Sequence, residues 1–176
     1  MISYQFDKDK ANAALLYISR EISDADGMSD KYAALKILYF AEKKHLVEFG
    51  RLITNDRFAA LKFGPVPSSS YDLLDYGASF TQIDNKKVIP NEEPNLKKLS
   101  KSDILCLDES IKENKELTFG ELKKKSHDKA YHNAFDNGIQ WLSIEDIAIQ
   151  EGADPSLIGY IKEYYQAVNL SKCLTN

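Results

Sequence analysis

A chain of 176 residues is about the size of one domain and short for two. Hydrophobic residues make up 43% of it and its net charge is −4, which fits an acidic globular chain and argues against the basic excess of a general nucleic-acid binder. The best apolar stretch is cut by Lys36 and ends at Glu42, short of the ~18 residues of a membrane span, and Met1–Asp7 has no basic-then-apolar leader pattern, so a cytoplasmic protein is expected.

The first helix is predicted to start near Lys8, with Ala14, Leu15, Ile18 and Ile22 on one face, and to break at Asp24–Gly27. Ser29 or Asp30 caps a second helix reaching Phe49, where Gly50 supplies a left-handed stop. This helix is apolar over more than one stripe (Tyr32, Leu35, Ile37, Leu38, Phe40, Ala41, Leu46 and Phe49), the mark of a core spine. Residues 51–67 read as an extended segment or hairpin, because Pro65 and Pro67 hold Gly64 and Val66 away from helical angles. Ser68–Ser70 offer caps for a third helix bearing Tyr71, Leu73, Leu74 and Tyr76. Thr81–Ile83 and Lys87–Ile89 are set to pair across Asp84-Asn85.

Helices resume at Ser100, which caps with Asp103, and at Thr118, which has capping-box spacing to Glu121. Ser126 is expected to cap a further turn through His127, Tyr131 and Ala134. Ser143 opens a short helix stopped by Gly152, and Asp154-Pro155 opens the last one, with residues 170–176 a frayed tail. The expectation is one mostly α, compact domain over 1–176, with about seven helices and a minor β hairpin.

Catalytic signatures are missing: there is no Gly-rich phosphate loop, GxSxG, HExxH or acidic calcium loop. His127 and His132 are five apart and do not stack on one helical face; Cys106 and Cys173 lack CxxC partners. No metal and no cofactor are therefore expected. Region 38–71 concentrates the chemistry that is present. A largely apolar helix delivers His45 to its last turn, Gly50 turns the chain, and Arg51 and Asp56 follow within reach of one another. Such a trio could be a general base with an electrophile, or a polar network that fixes the turn. With no nucleophile or phosphate cradle nearby, the second reading is preferred.

The order and spacing of Tyr39-Phe40-Ala41, His45-Leu46, Gly50-Arg51, Ile53, Asp56, Ala60, Gly64-Pro65-Val66 and Tyr71 resemble the Panacea domain, also called the SocA-like antitoxin domain. Ser126-His127 is similar to a later element of that family, with Tyr131 where Trp would be expected. The specific block is 35–71. The resemblance implies an antitoxin that neutralises a cognate protein toxin by direct contact. In one branch of the family, the antitoxin delivers its toxin to an ATP-dependent protease as an adaptor. Tyr39, Phe40, His45, Gly50, Arg51, Asp56, Gly64, Pro65, Val66, Tyr71 and His127 are then structural or partner-binding, none of them catalytic. Some relatives carry additional DNA-binding domains, and none is visible here, so nucleic acid is an unfavoured partner and a membrane is not a partner. The rival from another class is a small hydrolase or nucleotide-processing enzyme using His45, Arg51, Asp56 and His127.

Overall fold

A helix that is apolar around most of its circumference has to be buried on two sides. The computed structural model, which describes residues 5–173 with side chains to 168, shows how helix α2 (Lys31–Phe49) achieves this. On one side lie α1 (Lys8–Ile22), α3 (Ser68–Tyr76) and α4 (Lys101–Asn114), in a core that joins Leu35, Ile37, Leu38 and Ala41 to Leu15, Ile18, Leu74, Cys106 and Leu107. On the other side, Tyr39, Phe40 and Leu46 share a second core with residues of α5 (Phe119–Ser126), α6 (Lys129–Phe135), α7 (Ile144–Gln150) and α8 (Pro155–Cys173). Full burial of one such leucine contributes about 1.5–3 kcal/mol, so α2 binds two helical layers into one body.

Two small sheets decorate the helices. Strands β1 (Ser29–Asp30), β4 (Phe80–Gln82) and β5 (Lys87–Pro90) form an antiparallel sheet in the order β1-β5-β4, with Ser29 opposite Val88 and Thr81 opposite Ile89. Strands β2 (Phe58–Leu61) and β3 (Gly64–Pro67) make a hairpin whose two-residue turn is Lys62-Phe63. Its outer edge meets the α6–α7 connection, where Ala60 N–H donates to the Gln140 carbonyl at 2.8 Å.

The expected fold class holds: the chain is mostly α with minor β elements, and eight α-helices stand among the described residues. The expected caps at Asp30, Ser100, Thr118 and Ser143 are all in place. Gly50 ends α2 at φ 73°, where an added Cβ would lie 2.4 Å from the Tyr160 ring.

Several expectations need correcting. Ser68–Ser70 do not cap α3, since Pro67 stands at the cap position and a carboxylate from another loop serves the free N–H groups. Ser126 is the last residue of α5, and Asp128 caps α6 by accepting from Tyr131 N–H at 2.9 Å. β1 adds a third strand to the 80–90 hairpin; two residues give no alternation to read. Tyr76 points outward at 84% exposure, so only Leu73 and Leu74 anchor their helix deeply. Helix α8 is described as far as Cys173. Met1–Tyr4 and residues 174–176 lie outside the described residues, and with them the leader and part of the tail expectations.

Candidate functional site

The motif block forms a buried polar knot at the C-terminal end of α2. Glu42 and His45 are three residues apart, so both face the loop that follows the helix. Glu42 accepts from Ile53 N–H at 2.5 Å, Thr54 N–H at 3.0 Å and the Thr54 hydroxyl. Burial pushes its carboxyl up to about 7, against the opposing pull of those three donors. His45 donates from Nδ1 to the Arg51 carbonyl at 2.8 Å, while Nε2 meets the Ser102 hydroxyl at 2.9 Å and Asp103 Oδ1 at 3.2 Å. Asp103, at the start of α4, collects Arg51 at 3.1 Å, Lys10 of α1 at 2.9 Å and Ser100 N–H at 2.8 Å. Burial works to raise the Asp103 pKa, but the bonds from His45, Ser100 and Lys10 outweigh it and hold the carboxyl far below the usual carboxylate range.

Asp56 does not join this cluster. It lies in the same loop yet turns the other way, accepting Ser69 N–H at 3.0 Å and Ser70 N–H at 2.7 Å. A carboxylate at the first turn of α3 satisfies orphan donors and suits the helix dipole. The expected proximity of Arg51 and Asp56 is thus corrected: Arg51 pairs with Asp103, which stands far along the chain. Tyr39 and Phe40 are buried in the second core, with the Tyr39 hydroxyl 3.3 Å from Asp128 Oδ2. Lys43 bridges Asp128 at 2.7 Å and Glu151 at 2.5 Å. Tyr71 is half-exposed on α3, outside both clusters.

A second cluster lies where β3 crosses α2. The Lys36 side chain is fully buried, its ammonium 2.5 Å from the Pro65 carbonyl and 5.0 Å from the Tyr32 ring centroid, with no carboxylate paired to it among the described residues. Burial lowers its pKa to about 7. Gly64 backs directly onto this group and onto Ser126 and His127. His127 stacks on Tyr131 at 4.2 Å, and its Nε2 is buried without a hydrogen-bond partner among the described residues. Burial, and next the charge of Lys123, depress its pKa. Gly64, Pro65 and His127 of the motif therefore meet here, while His45, Gly50 and Arg51 meet at the knot. Val66 packs against the first core.

Sequence reasoning missed Lys36, Glu42, Ser102 and Asp103 as site residues. Two of them carried a signal, because Lys36 and Glu42 are charges inside a helix apolar nearly all round, and such charges are buried.

Lys36→Met is expected to stabilise the protein, by an amount on the order of 2 kcal/mol at pH 7. The folded pKa of about 7 lies below the ordinary 10.5, so the folded state binds fewer protons across that window. Wild-type stability therefore falls as pH drops from 10.5 to about 7, and the methionine variant escapes that loss. Melting temperatures of the two proteins at several pH values check this: their gap should be largest at and below neutrality and close above pH 10.5. A variant that melts below wild type at pH 7 would refute it.

Among the described residues, no group of three or more His, Cys, Asp or Glu side chains could hold a metal, and no helix is long and apolar enough to cross a membrane. No curated protein and no solved structure matches the chain. A family model described as antitoxin SocA-like, Panacea domain, does match, over residues 35–132. The match spans most of the spine helix, the knot residues from Glu42 to Asp103, the hairpin and both motif histidines, His45 and His127, and takes in more than half of the 176 residues; the chain belongs to this antitoxin-like family.

Proposed function

We propose that this protein is an antitoxin that neutralises a co-encoded protein toxin by stoichiometric binding, without catalysis. The observation that carries this reading is the family match, which covers most of the spine and most of both polar clusters. The chemistry of those clusters supports the non-catalytic part. In the knot, Glu42, His45 and Asp103 are fully buried and spend their polar atoms on neighbouring backbone and side chains, which suits holding elements together.

Titrating the purified protein into an in vitro assay of the adjacent gene's toxic product tests the proposal. Masking requires protection that saturates near one equivalent, with both proteins co-eluting on a sizing column. Full protection at a few per cent of the toxin concentration, with no complex, would mean enzymatic repair or modification. Protection in cells that disappears when an ATP-dependent protease is deleted would point to an adaptor.

A further inference from the structure

The β2–β3 turn is built against ordinary turn chemistry. Two-residue hairpin turns favour Gly, Asn and Asp, and exposed tips are usually polar. Here the turn is Lys62-Phe63, with Phe63 47% and the preceding Leu61 50% exposed. Beside it stands Phe119, the first residue of α5, 52% exposed, its ring 5.7 Å from Phe63 and 4.5 Å from Tyr32. Ile139, 54% exposed, continues the apolar surface, because the bond from Ala60 to Gln140 brings its segment alongside β2.

This tip is also held rigidly. Tyr131 donates to the Leu61 carbonyl at 2.8 Å, Tyr32 to the Phe63 carbonyl at 2.9 Å and Lys36 to the Pro65 carbonyl at 2.5 Å. Three side chains from two helices thus fix alternate carbonyls along the turn and the start of β3. A large exposed ring on a pre-ordered turn loses little freedom on association, which is the property of a binding anchor. The charge of the patch indicates what it meets. Lys62 and Lys123 place their ammonium groups 5.6 and 5.5 Å from the Phe63 centroid, and among the described residues neither has a carboxylate partner. A chain of net charge −4 therefore presents a locally positive, aromatic tip.

We infer that the Leu61–Phe63 turn with Phe119 is the partner-binding epitope, and that it takes a protein surface with an apolar pocket for Phe63 rimmed by Asp or Glu side chains. This rests on the antitoxin reading, with the toxin as the partner. Lys36, Tyr32 and Tyr131 act as positioning residues beneath the epitope.

The test measures binding of the adjacent gene's toxic product to wild type, Phe63→Ala, Phe119→Ala, the double charge reversal Lys62→Glu/Lys123→Glu, and Tyr76→Ala as a control outside the patch. Each phenylalanine variant should weaken the complex by about 30-fold or more, and the charge reversal by at least about 10-fold, with melting temperatures near wild type. Tyr76→Ala should bind normally. A carbodiimide, which joins an amine to a carboxylate it touches with loss of water, should link Lys62 or Lys123 of the wild-type complex to a partner Asp or Glu. This second measurement decides the matter even where a variant misfolds. A wild-type complex that neutralises toxin but is indifferent to all the patch substitutions and cross-links elsewhere overturns the epitope and leaves the antitoxin reading standing. Failure of wild type to bind overturns both. Tight binding of a single-stranded oligonucleotide that the charge reversal abolishes would assign the patch to nucleic acid and overturn the epitope.

Discussion

Asp103→Ala is expected to lower the unfolding free energy by about 3–5 kcal/mol, the cost of leaving buried partners of an ion pair unmatched. The carboxylate is fully buried and serves three segments at once: Lys10 from α1, His45 at the end of α2 and Arg51 in the following loop. Its removal strands one buried imidazole and two cations and breaks the capping box of α4. The effect should be strongly non-additive with Arg51→Ala, because both substitutions dissolve the same network. pH supplies an independent check. The folded pKa of Asp103 is held below its ordinary value of 3.8, so the stability it contributes is present above that value and is lost as pH falls below it. The gap between wild type and Asp103→Ala in urea unfolding should be constant near neutrality and shrink below about pH 4. Glu42 does not disturb this comparison. Its raised pKa makes both proteins lose stability together as pH rises from 4.5 to about 7. A loss under about 1 kcal/mol at pH 7 would show that the knot is dispensable.

The helical plan was legible in the sequence because its signals are local. Periodic apolar residues mark α1 and α2, and cap chemistry at Asp30, Ser100, Thr118 and Ser143 marks where helices begin. The polar clusters were legible only in part. The sequence brings His45, Arg51 and Asp56 close along the chain, but the loop turns Asp56 toward α3 and leaves Arg51 to a carboxylate fifty-two residues away. No periodicity encodes that pairing, since Asp103 already has a local duty as the capping-box residue of α4 and nothing in its spacing advertises a second one. In the same way, three adjacent serines promised a cap for α3 that a distant aspartate provides. The tip of the hairpin was hidden for another reason. Phe63 and Phe119 look like core residues in any hydropathy pattern, and only their exposure shows otherwise.

Gly64→Ala should cost about 2–5 kcal/mol, the sum of backbone strain and overpacking. At φ +98° an L side chain is strained whatever space surrounds it. There is also little space: the new methyl would stand 2.5 Å from the Ser126 hydroxyl and 2.9 Å from the Lys36 ammonium. Both neighbours are fully buried, so neither can swing into solvent. For a chain of this length the loss corresponds to a fall in melting temperature of roughly 4–20 °C. The two causes can be separated. Adding Ser126→Ala to Gly64→Ala removes the closest clash and should recover part of the loss, on the order of 1 kcal/mol, while the φ strain persists. Ser126→Ala alone removes the hydroxyl's bonds to the Lys123 carbonyl and to Tyr32 and should cost about 1 kcal/mol. Because Gly64 follows Phe63 directly and precedes the Pro65 carbonyl that Lys36 holds, relief of the clash must shift the hairpin tip. Gly64→Ala should therefore weaken the proposed toxin complex even at temperatures where circular dichroism shows the helices intact. A variant that melts within a degree or two of wild type would mean that the hairpin yields freely at this point, and that Gly64 is not what sets its course over Lys36.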